Sequence, residues 1–296
     1  MIPFVREMAF RYGEPDQVSP LIRRVIADNP GPFTFTGTGT YIIGSGEVAV
    51  IDPGPDDPAH LAALEGALAG ERVTAILVTH THLDHSPLAA ALAEATGAPV
   101  HGLQAPLTPE SAIRLDEGHD HGFRPDVLAR DGDLISGPDW TLEAVATPGH
   151  ASNHLCYALT QENALFSGDH VMGWSTTVVS PPDGDMADYL ASLDKVAARG
   201  FATLWPTHGP PVREVGAFLD AYRAHRLARE NQILDQLAKG RAKIPETVQA
   251  IYTEVDPRLY PAAAHSVLAH LIKLVREGRV RSDGPPGPGA LYELAG

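Results

Sequence analysis

One short segment, residues 79–85, constrains most strongly what this chain can fold into. It reads Thr-His-Thr-His-Leu-Asp-His and directly follows the apolar run 73–78. Three imidazoles and one carboxylate at such short spacing suit a divalent ion of the zinc type. If a buried strand ends at residue 78, alternate residues after it would project into the same cleft. The segment therefore predicts a metal-dependent hydrolase.

Three further apolar runs each end in a potential metal ligand. The run 142–146 leads to His150, the run 164–166 leads to Asp169, and the run 201–205 leads to His208. Loops at the ends of strands on a rigid scaffold are where sites are usually built. Four predicted strands that deliver His or Asp from their ends indicate one shared site more strongly than any single motif does.

Composition is ordinary for a soluble globular protein, with 44% hydrophobic and 20% charged residues. No apolar stretch approaches the roughly 18 residues of a membrane span. The first residues lack the charged start and apolar core of a secretory signal. Cys156 is the only cysteine, which excludes an intrachain disulfide. We therefore expect a cytoplasmic protein that does not associate with membranes.

Net charge is −15 and unevenly distributed. Acidic side chains far outnumber basic ones in residues 1–200, whereas the two nearly balance in residues 201–296. The acidic region 1–200 would repel polyanions, while the mildly basic region 201–296 could bind them. Charge alone does not decide whether a nucleic acid is a partner.

The chain divides into three predicted parts, which are residues 1–213, 214–240 and 241–296. The first mixes short strands, turns and helices. The second is a long charged helix that ends at Gly240. In the third, helices near residues 245–254 and 261–277 precede a β-hairpin with a Gly- and Pro-rich tip. This order is typical of a winged-helix-like α+β domain.

The combined pattern resembles the metallo-β-lactamase superfamily over about residues 15–212. The resemblance implies an α/β fold of four αββα layers, with two metals between the sheets. It implies Zn²⁺ at both positions, other divalent ions being alternatives, because His82 stands where the di-iron subgroup has Glu. By motif, the ligands of the first metal would be His80, His82 and His150. Those of the second would be Asp84, His85 and His208, with Asp169 bridging the two.

Seven such ligands can hold two cations and leave room for a bridging hydroxide. Two nearby cations lower the pKa of bound water and polarise a carbonyl or phosphoryl oxygen. Asp84 could both ligate a metal and orient the hydroxide, so Asp84 and Asp169 are the candidate catalytic carboxylates. Asp52, in the predicted turn after residue 51, is a candidate acceptor that fixes a ligand histidine.

Other polar residues are candidates for the layer behind the ligands or for the substrate cleft. Trp174, Thr176 and Thr177 follow the bridging Asp and could form a cleft wall or cap the next strand. His170 is a weaker candidate, because in an extended segment it points to the face opposite Asp169. We interpret His154 as a core histidine.

Other histidines are interpreted without a role at the site. His119 and His121 lie in a predicted loop. His225, His265 and His270 lie on predicted helices and are expected on solvated faces.

The C-terminal domain narrows the resemblance to the lactamase-beta-2-like branch, with matching residues in 189–193, 225–233 and 266–271. That branch includes endoribonucleases specific for single strands and thioesterases that release polyketides from carrier proteins. Both would use the same metal-bound hydroxide, so the ligands cannot separate them. We favour a small-molecule acyl substrate (thioester, ester, lactone or lactam type) over single-stranded RNA.

Phosphate contacts for RNA could come from the arginines of the long helix, although these also fit ordinary charge patterning on an exposed helix. A DNA-binding regulator is a further alternative, but the predicted exposed positions of helix 261–277 are poor in base-reading side chains. They are Ala263, His265, Ala269, His270, Lys273 and Arg276. A non-catalytic scaffold would have no use for a complete ligand set. The C-terminal domain could instead pack on the catalytic domain, roof the cleft or form a homodimer contact.

Overall fold

The computed structural model describes residues 2–107, 118–253 and 256–296. A seven-stranded sheet, in chain order, forms the first half of the fold. Its strands are β1 (Asp16–Ser19), β2 (Ile22–Ile26), β3 (Gly39–Ile43), β4 (Glu47–Ile51), β5 (Arg72–Leu77), β6 (Val100–Gly102) and β7 (Val127–Leu128). Strands β1 to β4 pair antiparallel and β4 to β7 pair parallel. Helices α1 (Pro58–Ala67) and α2 (Leu88–Thr96) form the crossovers on either side of β5.

A five-stranded sheet in the order β12-β11-β10-β9-β8 forms the second half. Its strands are β8 (Leu134–Ser136), β9 (Thr141–Ala146), β10 (Leu155–Leu159), β11 (Ala164–Gly168) and β12 (Thr203–Pro206). Its neighbours pair antiparallel except β11 and β12, which are parallel. Helix α3 (Met186–Arg199) connects that parallel pair, since parallel neighbours need a crossover of this length.

Alternation along the strands shows that the two sheets stack face to face. In β10, Leu155 and Tyr157 join the core between the sheets, while Cys156 and Ala158 face the helices outside. Ile42 of β3 likewise points outward, into the core beneath α1 and α2. Because successive strand residues point to opposite faces, each sheet is covered on both sides. The predicted four-layer αββα sandwich is confirmed.

The C-terminal part has a core of its own. It comprises α4 (Val215–Ala238), α5 (Ile244–Ile251), a 3₁₀ turn (Pro257–Leu259), α6 (Tyr260–Arg276) and the hairpin β13 (Val280–Ser282) and β14 (Tyr292–Leu294). The start of α4 packs on the second sheet, and its end packs in the C-terminal core. The predicted winged-helix-like domain is confirmed, although the predicted end of α5 at residue 254 lies outside the described residues. None of the described helices combines the length and apolarity needed to cross a bilayer.

The face of α6 that was expected to be exposed instead packs against the sandwich. Ala269 is buried in the core formed by α3 and α4, and His270 is completely buried. His265 Nδ1 lies 2.9 Å from Ser180 Oγ, and Arg276 forms an ion pair with Asp185. The prediction of a solvated face for these histidines is wrong, because small and polar residues here cover the catalytic domain.

Candidate active site

Strand direction explains why distant residues converge at one edge of the sandwich. Strands β4 and β5 are parallel, so residue 52 and the segment 79–85 begin side by side. In the second sheet β9, β11 and β12 all run the same way, so their carboxyl ends share one edge. From that edge His150, Asp169 and His208 reach the segment 79–85.

The first ligand cluster joins three imidazoles. His82 Nδ1 lies 2.9 Å from His80 Nε2 and 3.2 Å from His150 Nε2, and the two Nε2 atoms are 3.3 Å apart. His150 Nδ1 donates to Val178 O at 2.7 Å, which leaves a lone pair on Nε2. Burial, and then the neighbouring rings, hold the pKa of His80 and of His82 well below the ordinary value. Three neutral lone pairs that point at one another fit a cation between them.

The second cluster consists of Asp84, His85 and His208. His208 Nε2 lies 3.0 Å and His85 Nε2 lies 3.5 Å from Asp84 Oδ2. Both Nε2 atoms are buried beside carboxylate oxygens. Burial opposes charge on His208, but Asp169 and Asp84 outweigh it and raise its pKa. Two imidazole nitrogens beside a carboxylate are a donor set suited to a second divalent cation, which would replace the protons on these nitrogens.

Asp169 lies between the two clusters. Its Oδ2 is 3.7 Å from His85 Nε2 and 3.8 Å from His150 Nε2, and its Oδ1 is 3.4 Å from His208 Nε2. Oδ1 is buried without a hydrogen-bond partner. Burial would raise the pKa of Asp169, but His208 and His85 more than offset it and keep the carboxyl ionised. An ionised carboxylate in contact with both clusters is placed to bridge two cations.

Asp52 supports the second cluster from behind. Its carboxylate accepts from His85 Nδ1 at 2.9 Å, from Thr79 N and Oγ1 at 2.8 Å each, and from Thr207 Oγ1 at 2.9 Å. The proton on His85 Nδ1 leaves Nε2 as the ligating atom. Asp52 has φ +50°, a left-handed conformation that Asp tolerates better than most residues.

His154, which we interpreted as a core histidine, is buried and also holds the bridging residue. Its Nε2 accepts from the Asp169 backbone N–H at 3.2 Å, while Nδ1 lies 2.9 Å from Thr147 Oγ1. Gly168 has φ +51°, and a Cβ there would come within 2.6 Å of His154 Nε2. The glycine before Asp169 was the available sequence signal for this close approach.

His119 lies in a loop as predicted, yet that loop reaches the site. The centroid of its ring lies 4.7 Å from that of His82, and the two residues form a β-bridge. His119 Nε2 also lies 3.2 Å from Asp183 Oδ2. Sequence reasoning missed this approach because it depends on tertiary packing of the loop beside His82, which residue type alone does not show.

A cavity of about 400 Å³ opens over the ligands His82, Asp84, His150 and Asp169. Its walls are mostly aromatic and aliphatic. The segment 172–179 forms one side, Phe4 and residues 32–33 form another, and α6 with Tyr252 covers the far end. The C-terminal domain therefore contributes directly to the cavity wall.

Trp174, Thr176 and Thr177 line this cavity. The Trp174 ring stacks on Phe35, with centroids 4.8 Å apart. Thr177 Oγ1 donates to the carbonyl of Asp169 at 2.9 Å, so the wall is joined to the bridging residue. His170 is not brought to the cleft, because its ring is fully buried against Tyr189.

Comparison with known proteins agrees with this geometry. Residues 34–208, more than half of the chain, match the metallo-beta-lactamase superfamily. The chain belongs to the metallo-β-lactamase superfamily. Residues 244–287 match the beta-lactamase associated winged helix domain. Both parts of the predicted resemblance are confirmed.

Relatives of this superfamily member share most of its length. It is 30% identical to the beta-lactamase-like protein 2 homolog of Caenorhabditis elegans, covering 90% of this chain and 88% of the relative. It is 32% identical to the atrochrysone carboxyl ACP thioesterase of Aspergillus chevalieri, covering 89% and 84%. Among solved structures, a metallo-beta-lactamase family protein from Thermus thermophilus superposes with a TM-score of 0.75 at 26% identity, covering 94% and 99%. The superfamily and these relatives make the chain a hydrolase.

Proposed function

We propose that this hydrolase binds two zinc ions and cleaves a small-molecule acyl substrate of the thioester, ester, lactone or lactam type. The observation that carries the proposal is the joining of two ligand clusters by one carboxylate at the floor of a largely apolar cavity. Ligand pockets are typically apolar with few, well-placed polar groups. An acyl chain fits such walls, with its carbonyl at the floor.

Each ligand has a role in this proposal. His80, His82 and His150 would hold one ion, while Asp84, His85 and His208 would hold the other. Two bound cations would lower the pKa of water and polarise the substrate carbonyl. Asp169 would bridge the ions.

Asp84 is ionised and lines the cavity, so it can accept a proton from water there. Burial opposes its ionisation, but His85 and His208 together hold its pKa below the ordinary value. Asp52 would keep His85 in the tautomer that presents Nε2.

Several relatives support an acyl substrate by name, since they are described as atrochrysone carboxyl ACP thioesterases. Arg223 and Arg226 of α4 are engaged within the protein and do not offer the basic lane that RNA would require. Arg223 Nε pairs with Asp194 Oδ1 at 2.7 Å, and Arg226 is buried. Arg213, which precedes α4, lies over the ring of Trp205.

Substitution Asp169→Ala tests the proposal most directly. Loss of the bridging carboxylate should reduce kcat/KM on an aryl or thiol ester by about 1,000-fold or more, because both ions lose a ligand. Bound zinc, measured by elemental analysis, should fall from two per chain. Asp220→Ala, an exposed change on α4, is the control. Full activity of Asp169→Ala without bound metal would refute the proposed function.

A further inference from the structure

Arg229 of α4 is held in one orientation at the wall of the cavity. Its Nη1 donates to Gln232 Oε1 at 2.8 Å and to the carbonyl of Ile251 at 3.0 Å. Its guanidinium carbon lies 4.0 Å from the ring centroid of Tyr252. These contacts fix the plane of the guanidinium and engage Nη1 alone. In the described part of the chain, no hydrogen bond is made by Nε or Nη2, the pair of donors that can bind a carboxylate side by side.

Among the described residues, no acidic side chain forms an ion pair with Arg229. Its neighbours on the same helix and domain differ. Arg223 forms an ion pair with Asp194, and Lys273 and Arg279 both form ion pairs with Glu230. In a chain with 37 acidic and 22 basic side chains, counter-ions for a surface arginine are abundant. Arg229 therefore lines the cavity without an ion pair to any of the described residues.

A second arginine strengthens the positive field at this end of the cavity. Arg226 also lines the cavity, is only 4% exposed and has no carboxylate partner among the described residues. It donates to the carbonyl of Thr177, and its Nε has no hydrogen-bond partner. Burial, and then Arg226 and Arg229, lower the pKa of His225 to about 4. Two buried or half-buried cations in an apolar cavity attract an anion more strongly than they would in water.

The carboxylates that line this cavity are part of the two ligand clusters. Asp84 and Asp169 are the only acidic side chains among its described lining residues, and both are predicted metal ligands. The cavity therefore has a metal-binding floor and a separate cationic wall on α4, with apolar surface on the remaining sides. A substrate with a reactive carbonyl and a remote negative charge matches this arrangement.

We propose that Arg229, supported by Arg226, binds a carboxylate carried by the acyl group of the substrate. This inference rests on the proposed acyl-hydrolase function. A carboxylate matches the planar Nε–Nη2 edge and adds one negative charge, whereas the acidic body of the protein disfavours a multiply charged group. The substrates would then be half-thioesters or half-esters of dicarboxylic acids.

The test uses the full-length zinc-loaded protein and matched N-acetylcysteamine thioesters. Dicarboxylic acyl groups of four to eight carbons are compared with their terminal methyl esters, which lack the charge and carry one extra methyl group, and release of the thiol is measured for both. At the best chain length, the free acid should exceed its methyl ester by about 10-fold to 100-fold in kcat/KM, chiefly through KM. In Arg229→Gln this ratio should fall to about one, and Arg229→Lys should restore part of it. Arg223→Gln is the matched control and should keep the wild-type ratio.

A ratio near one at every length in the wild-type protein would overturn the inference, as would an unchanged ratio in Arg229→Gln. A further arm compares hexanoyl-coenzyme A with hexanoyl-N-acetylcysteamine. If coenzyme A is preferred and Arg229→Gln removes that preference, the arginine binds a phosphate of the leaving group, and the acyl carboxylate assignment is wrong.

The inference and the proposed function can fail separately. Absence of hydrolysis for every methyl ester and neutral thioester contradicts the function. Calorimetric titration with the free dicarboxylic acids and their monomethyl esters then measures binding affinity at the Arg229 subsite without turnover. Tighter binding of the diacid that Arg229→Gln abolishes supports the anion subsite, and equal binding of both ligands by the wild-type protein contradicts it.

Discussion

The two ends of the cavity are built and supported in different ways. At the metal floor, ligands leave neighbouring strands and are fixed by hydrogen bonds within the sandwich, as in the four bonds accepted by Asp52. At the far end, α4 and α6 are positioned by packing and by ionic contacts of the C-terminal domain. Glu230 is central there, since it is buried and contacts Lys273 Nζ at 2.7 Å and Arg279 Nη1 at 2.6 Å.

This difference predicts that chemistry and specificity depend on separate sets of contacts. The floor depends on polar groups whose partners all lie in the two sheets and their loops. The wall depends on whether the C-terminal domain stays in place. Substitutions behind each end should therefore affect one end and spare the other.

The largest effect is expected for Glu230→Gln. Loss of one partner from a buried ionic cluster should destabilise the C-terminal domain by about 3 kcal/mol at neutral pH. Hydrogen exchange of α6 amides in the metal-free protein measures this change. Asp235→Asn, an exposed change on the same helix, should have little effect. The comparison of the two ends would fail if Glu230→Gln released zinc from the floor while leaving α6 protected.

The same cluster predicts a pH dependence. Burial raises the pKa of Glu230, but the neighbouring His270 ring and hydrogen bonds from Lys273 and Arg279 outweigh it and lower the pKa from 4.5 to about 2. Because the folded-state pKa is depressed, the stabilisation is complete above pH 4.5 and is lost as the pH falls towards 2. The difference between wild type and Glu230→Gln should therefore shrink over this window. A constant difference would show that the ionic contacts are not its source.

The opposite outcome is expected for Asp52→Asn. Asn tolerates the left-handed backbone, so the change isolates the loss of charge and of an acceptor. An amide NH₂ would face donors, and His85 would lose its orientation, so zinc affinity should fall about 10-fold to 100-fold. Competition with a chromophoric chelator measures it, with Asp56→Asn as the exposed control. Protection of α6 amides should stay as in the wild type, and a parallel loss there would contradict the separation of the two ends.

The clustering of His and Asp side chains at the cavity floor was largely predictable from sequence, because these residue types are chemically distinctive and four of them fall within residues 80–85. Each of the other three residues follows an apolar run, and the common direction of β9, β11 and β12 brings them to one edge of the sheet. The support by His154 was missed although Gly168 marks a close approach beside Asp169, because the partner of the His154 ring is a backbone N–H group, which residue type does not identify.

The far wall was less predictable because its residues are ordinary. Ala263 and Ala269 are buried, yet alanine on a helix is equally common on exposed faces. His270 was expected in solvent because its type is polar, but the packing of α6 on α3 and α4 buries it. The apolar stripe of α6 predicted one packed face correctly and gave no signal of the second.

The smallest effect is expected for Ala262→Phe, which changes only the cavity wall. Ala262 is half-buried and lines the cavity from α6, with no contact to a metal ligand among the described interactions. Phenylalanine there would occupy space that a long acyl chain needs, so kcat/KM for an octanoyl thioester should fall about 10-fold relative to an acetyl thioester. Ala224→Phe, an exposed change on α4, is the control. If acetyl and octanoyl thioesters lost the same factor, α6 would act on the floor itself, and specificity and chemistry would not be separate.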